Sequence, residues 1–179
     1  RSTFSNSAFS RMLPRARPYF HDEDYARRIL VLAHYEARRA GLDPRLVLAV
    51  IDVESRFRKY AVSRAGARGM MQVMPFWVRL IGAPGHNLFQ ERTNLRYGCE
   101  ILRHYLDLEK GNLANALGRY NGSLGKLDYP TRVLRAQQLR WSDAPEYSGP
   151  GTRAHADRLL EHPARDAPQV IEGALARGI

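Results

Sequence analysis

In this 179-residue chain the residue that asks for a chemical explanation is Glu54. The stretch from Asp43-Pro44 to Phe57 reads as a helix, with aspartate at the cap and proline at the first helical position. Stepping about 100° per residue with Glu54 at zero puts Val47 near +20°, Val50 near −40°, Ile51 near +60° and Phe57 near −60°. Glu54 therefore points into the middle of the apolar stripe. Asp52 falls at about 160°, beside Arg45 and Arg56, where a carboxylate is expected to be solvated and screened.

A glutamate on a core-facing stripe costs several kcal/mol if it is buried, charged and unpaired. Either it is paired inside, with Arg68 or Arg119 as candidate partners, or it lines a cleft. Its place near the helix C-terminus adds the negative end of the helix dipole to desolvation, and both raise the pKa of a carboxyl. A carboxylic acid kept protonated near neutral pH is what a general acid needs. The other reactive side chains suggest less. His21, His34, His86, His104, His155 and His162 have no metal-ligand spacing, and HExxH is absent. Cys99 stands alone on an apolar helix side and reads as a small buried hydrophobe. Trp77 reads as core; Trp141 fits either the core or a groove.

The elements that must position Glu54 are helical. Apolar residues at helical spacing mark helices over 22–40, from Asp43-Pro44 to about Phe57, and over 93–108, 113–119 and 129–141. A short Met-rich helix with Pro75 inside is expected over 70–81, and 63–69 is a Gly-containing loop. Runs of strand length with alternating polarity are nearly absent, so the fold class is all-α. Residues 1–20, with Pro14 and Pro18, read as an irregular N-terminal arm; 21–141 read as one helical domain; 142–179 read as a tail with one possible helix over 169–177. One cysteine excludes a disulfide framework, and no apolar run reaches the roughly 20 residues that span a bilayer. Arg1 opens the chain without an apolar leader, as in a processed or trimmed protein.

Charge narrows the partner. Lys+Arg number 28 against 18 Asp+Glu, a formal +10. That balance favours a polyanion: nucleic acid, an anionic membrane face or an acidic wall polymer. The arginines are scattered, and no nucleic-acid reading motif accompanies them, so nucleic acid is not the expected partner.

Three blocks then stand in order: Glu54-Ser55-Arg56-Phe57; Ser63-Arg64-Ala65-Gly66-Ala67-Arg68-Gly69-Met70-Met71-Gln72-Val73-Met74-Pro75; and Ala116-Leu117-Gly118-Arg119-Tyr120-Asn121-Gly122. Together they resemble the soluble lytic transglycosylase (SLT) domain, over roughly 24–140. The resemblance implies a goose-type-lysozyme-like helical fold with a catalytic groove. It implies cleavage of the bond between N-acetylmuramic acid and N-acetylglucosamine in peptidoglycan, without hydrolysis, to leave 1,6-anhydro ends. By position it makes Glu54 the single acid/base. It makes Ser63, Gln72, Met74, Tyr120, Asn121 and Tyr129 substrate-binding residues, with Tyr120 approaching the catalytic carboxyl. No cofactor and no metal are implied, the partner is a glycan strand, a monomer is expected, and the location is periplasmic or exported. After Asn121 the chain is shorter than the family pattern, and the auxiliary glutamate of some members has no counterpart.

The residues alone leave rivals. Met70 and Asn121 also read as core filler and a turn residue. A hydrolytic muramidase would need a second acid near Glu54, with Asp128 or Glu91 as candidates. A non-catalytic glycan-binding or assembly module is the alternative from another class.

Overall fold

The computed structural model describes residues 6–142. Within them the chain forms α1 (Asn6–Ala16), a short 3-10 turn (Arg17–Tyr19), α2 (Glu23–Arg39), α3 (Pro44–Ser55), α4 (Phe76–Ile81), α5 (Glu91–Leu108), α6 (Leu113–Asn121) and α7 (Asp128–Arg140). No strand occurs among the described residues; Val62, Arg68 and Val73 make isolated bridges in the loop before α4. The all-α expectation holds. The expected tail lies outside the described residues apart from Ser142, as does the helix expected over 169–177.

The chain begins and ends its helices where backbone groups can be satisfied. Asp22 caps α2 by accepting from the amides of Asp24 and Tyr25. Asp43 accepts from Arg45 N ahead of Pro44, which has no N–H to satisfy. Asn112 caps α6 through Asn115 N. α3 is the central helix: every residue from Leu46 to Ile51 is buried, and α2 and α7 pack against it. α5 lies on α2 and α6, and α6 on α7. Gly98 lets α5 approach the loop before α4, since a Cβ there would collide with the Met71 side chain.

Three local expectations are corrected. The described part of the expected irregular arm, residues 6–20, is mostly helical: α1 forms despite Pro14, and Met12, Leu13 and Ala16 are core residues. A proline in a helix interior costs about 3 kcal/mol, and here packing of that apolar edge on α2 offsets it. Arg15 then donates to the carbonyls of Leu139 and Arg140, closing the end of α7. Next, 70–81 is not one helix: Pro75 precedes a helix confined to Phe76–Ile81, and turns occupy the stretch before it. Last, Asp52 is not on a solvated face. It is 4% exposed, accepts from Arg140 Nε at 2.6 Å and from Trp141 Nε1 at 3.2 Å, and lies against the Tyr19 hydroxyl. α7 and the Arg17–Tyr19 turn cover the side of α3 that a single-helix projection leaves open.

Candidate active site

Glu54 is the penultimate residue of α3, and it is half-buried. Its Oε1 accepts from the Tyr129 hydroxyl at 2.6 Å. Burial pushes the carboxyl above the ordinary glutamate range; the Tyr129 hydrogen bond and the charge of Arg132 oppose that without cancelling it. The suggested salt-bridge partners are engaged elsewhere. Arg119 pairs with Glu109, and the Arg68 guanidinium lies 5.9 Å from the Phe89 ring centroid. Among the described residues no carboxylate is among the groups that move the Glu54 equilibrium.

Directly after Ser55 the backbone turns left-handed at two successive non-glycine residues, Arg56 (φ 53°) and Phe57 (φ 61°). Such residues persist where their surroundings over-determine them. Phe57 is 3% exposed, with ring centroids 5.1 Å from Tyr19, 5.4 Å from Phe20 and 5.4 Å from Trp141. Trp141 is therefore core, as is Trp77. Cys99 is fully buried and its thiol is pushed up by that burial, in keeping with a packing role.

The loop over 68–74 is held by side chains from three helices, Glu54's own among them. From α3, Ser55 Oγ donates to the Met70 carbonyl at 2.7 Å. From α6, the Tyr120 hydroxyl donates to the Met71 carbonyl at 2.7 Å. From α5, the buried Asn94 accepts from Met71 N at 2.7 Å and donates to the carbonyls of Arg68 at 2.8 Å and Leu88 at 2.9 Å. Gly69, at φ 76°, is where this support passes, because a Cβ there would run into the Asn94 amide and the Leu88 carbonyl. Gln72, itself left-handed at φ 51°, donates through Nε2 to Gly69 O at 2.9 Å and Ala61 O at 3.2 Å. Its amide nitrogen is thus spent on backbone carbonyls, one within the loop and one at Ala61, and its carbonyl oxygen keeps acceptor capacity.

The expected residues thus divide. Glu54 and Tyr129 meet directly. Tyr120 differs from its expected contact: its hydroxyl holds the loop, and Tyr129 from the first turn of α7 takes the carboxylate. Both phenols are nevertheless within the field of Glu54; burial first and that charge second push each well above its ordinary range. Met74 is half-buried against the core, whereas Met70 and Met71 are core filler. Ser63 accepts from Ala67 N at 3.0 Å and steadies the preceding turn. Asn121 is exposed and accepts from Ser123 Oγ at 3.0 Å. Glu91 is tied to Lys59 at 3.0 Å and to the Tyr25 hydroxyl at 3.1 Å, and Asp128 is exposed in the first turn of α7. Asn94 was not anticipated. Its signal was present: a polar amide in the row Asn94, Gly98, Ile101, Tyr105 that α5 buries.

The transglycosylase SLT domain model matches residues 32–137, more than half of the chain. A membrane-bound lytic murein transglycosylase C of Actinobacillus pleuropneumoniae is 49% identical over 55 residues, which is 31% of this chain and 15% of that protein. The transglycosylase of Enterobacteria phage PRD1 is 32% identical over 111 residues, 58% of this chain and 41% of that protein. The solved structure of the lytic transglycosylase Slt from Pseudomonas aeruginosa matches 75% of this chain and 22% of its own, at 26% identity and a TM-score of 0.46. The chain thus spans less than half the length of these relatives. By the extent of the family match, this chain belongs to the transglycosylase SLT domain family.

Proposed function

We propose that this chain is a peptidoglycan lytic transglycosylase whose unit over 21–141, with α1 docked on it, cuts the bond between N-acetylmuramic acid and N-acetylglucosamine. One observation carries the reading: Glu54 is a half-buried carboxyl with raised proton affinity, held by one phenol, with no second carboxylate acting on it among the described residues. Ordinary glycosidases use two carboxylates. A reaction in which the substrate supplies its own nucleophile needs one.

In this mechanism Tyr129 occupies Oε1, so Oε2 carries the proton. Glu54 gives it to the bridging oxygen as the glycosidic bond breaks, and the positive charge developing at C1 is relieved by the neighbouring 2-acetamido group. The resulting carboxylate, steadied by Tyr129 and by the charge of Arg132, takes the proton of the muramoyl C6 hydroxyl as that oxygen attacks C1. The products are a 1,6-anhydro end and a free hydroxyl on the leaving sugar, with the enzyme's proton restored. Around this centre Gln72 offers its carbonyl oxygen, Met74 an apolar wall, Tyr120 a braced loop, and Ser63 and Asn121 the rims. A single copy supplies every residue used. The surplus of 10 positive charges suits an acidic wall polymer, and that substrate implies an exported location.

The test is mass spectrometry of soluble products from purified peptidoglycan, using the wild-type protein and Glu54→Gln. Anhydro-muropeptides from the former and none from the latter are expected. Reducing-end products would replace the proposal with hydrolysis; no products from wild type would replace it with a binding module. Hydrolysis has less support here, since Glu91 is bound by Lys59 and Tyr25.

A further inference from the structure

Within the protein the charge of Arg132 acts on Glu54 and Tyr129, yet its guanidinium makes no ion pair among the described residues. It stands exposed on the second turn of α7, one turn past Asp128. Asp128, four residues earlier and suitably spaced for a pair, does not pair with it, and among the described residues Arg132 makes no salt bridge to any carboxylate. What it has is an aromatic brace: its Cζ lies 5.8 Å from the ring centroid of Tyr129, the phenol whose hydroxyl holds Glu54. A guanidinium backed by a ring is oriented in advance, and its planar fork matches a carboxylate in a way that a lysine ammonium does not.

If the strand is murein, carboxylates occur on the peptides that branch from its muramoyl sugars, beside the bond that Glu54 addresses. We infer that Arg132 is an anion-recognition residue that takes a carboxylate of the peptide borne next to the scissile bond, so that the site selects peptide-bearing over stripped strands. This rests on the murein-cleaving reading above. It adds to that reading a basis for choosing among strands.

The test compares wild type, Arg132→Gln, Arg132→Lys and the control Arg135→Gln, which removes the same charge from another exposed position of α7. Each is assayed on intact peptidoglycan and on strands stripped of peptide by an amidase, with anhydro ends quantified by mass spectrometry. Arg132→Gln is expected to lower kcat/KM on peptide-bearing strands about tenfold relative to stripped strands, the size of one charged hydrogen bond. Arg135→Gln should move that ratio less than about twofold, and Arg132→Lys should keep only part of the preference. An unchanged ratio in Arg132→Gln, or an equal shift in Arg135→Gln, overturns the inference and leaves strand cleavage standing. Absence of anhydro ends from wild type on both substrates overturns the two together.

Discussion

Two glutamates withdrawn from water to different depths, Glu36 and Glu54, meet opposite kinds of partner. Glu36, on α2, is 0% exposed and is met by cations: Arg39 Nε at 2.8 Å, Arg96 Nη2 at 3.0 Å and Arg92 Nε at 3.8 Å. Those arginines come from α2 and α5, so the carboxylate fastens two helices together. Glu54 is less buried but is met by a neutral phenol, and the charge nearest in effect, Arg132, makes no ion pair with it. Counter-charge, more than depth, separates the two. A carboxyl met by several cations ties elements together; one sheltered without an ion pair has its proton affinity raised, which is what the proposed acid needs.

The comparison breaks most sharply at Glu54 itself. Glu54→Gln should cost about a thousandfold or more in turnover, within the usual reach of general acid catalysis. Its melting temperature at pH 7 should not fall. Because the folded-state pKa of Glu54 lies above its unfolded value, the folded protein binds that proton more tightly and loses stability as pH climbs between the two values. Glutamine removes that loss, so calorimetry should find the variant gaining on wild type from pH 4 to pH 7.

Glu36→Ala should do the reverse. We expect about 2 kcal/mol lost in a denaturant titration, below the figure for a fully enclosed pair because the freed arginines can turn to water. Turnover per folded molecule should change less than about twofold, since no part of the proposed site contacts Glu36. A smaller effect comes from Tyr129→Phe, which removes the hydrogen bond that holds the Glu54 pKa down against burial. The alkaline limb of kcat/KM should then move to higher pH, while the rate at pH 7 drops about fivefold to tenfold for want of one charge-assisted bond. Lys59→Met should be the mildest. Burial works to raise the Glu91 carboxyl, but its backbone amide, Lys59 and Tyr25 together hold it below the ordinary range. Stability from that group is present above its unfolded pKa and is lost as pH falls through the folded one. The variant should lose less than about 1 kcal/mol at pH 7 and show a shallower acid-side decline in melting temperature.

Glu54 is legible because its meaning lies in one helix: the spacing of Val47, Val50 and Ile51 determines where it points, although Phe57, counted on the same stripe, lies past the helix end in the left-handed turn. Asp52 is not, because its burial depends on Arg140, Trp141 and Tyr19, which no projection of α3 contains. The same reason hid which tyrosine holds the carboxyl. Tyr120 and Tyr129 both end near Glu54, and only the packing of α7 on α3 makes the second the donor. Proline is ambiguous from sequence. Pro14 lies in a stretch that reads as an irregular arm, yet tertiary packing keeps the helix; Pro75 implies a kink or a restart, and the helix begins just after it. Local chemistry could be read along the chain; closure of one element over another could not.

The aromatic stack around Phe57 separates ancestry from mechanics. The family match runs from 32 to 137, yet Tyr19, Phe20 and Trp141, which wall in Phe57, lie beyond both of its ends. A protein trimmed to the matched stretch would retain every side chain proposed for the chemistry and strip the packing from the left-handed turn that follows Glu54. The shortest active fragment is therefore set by where the rings end, at 19 on one side and 141 on the other, and not by where kinship becomes recognisable.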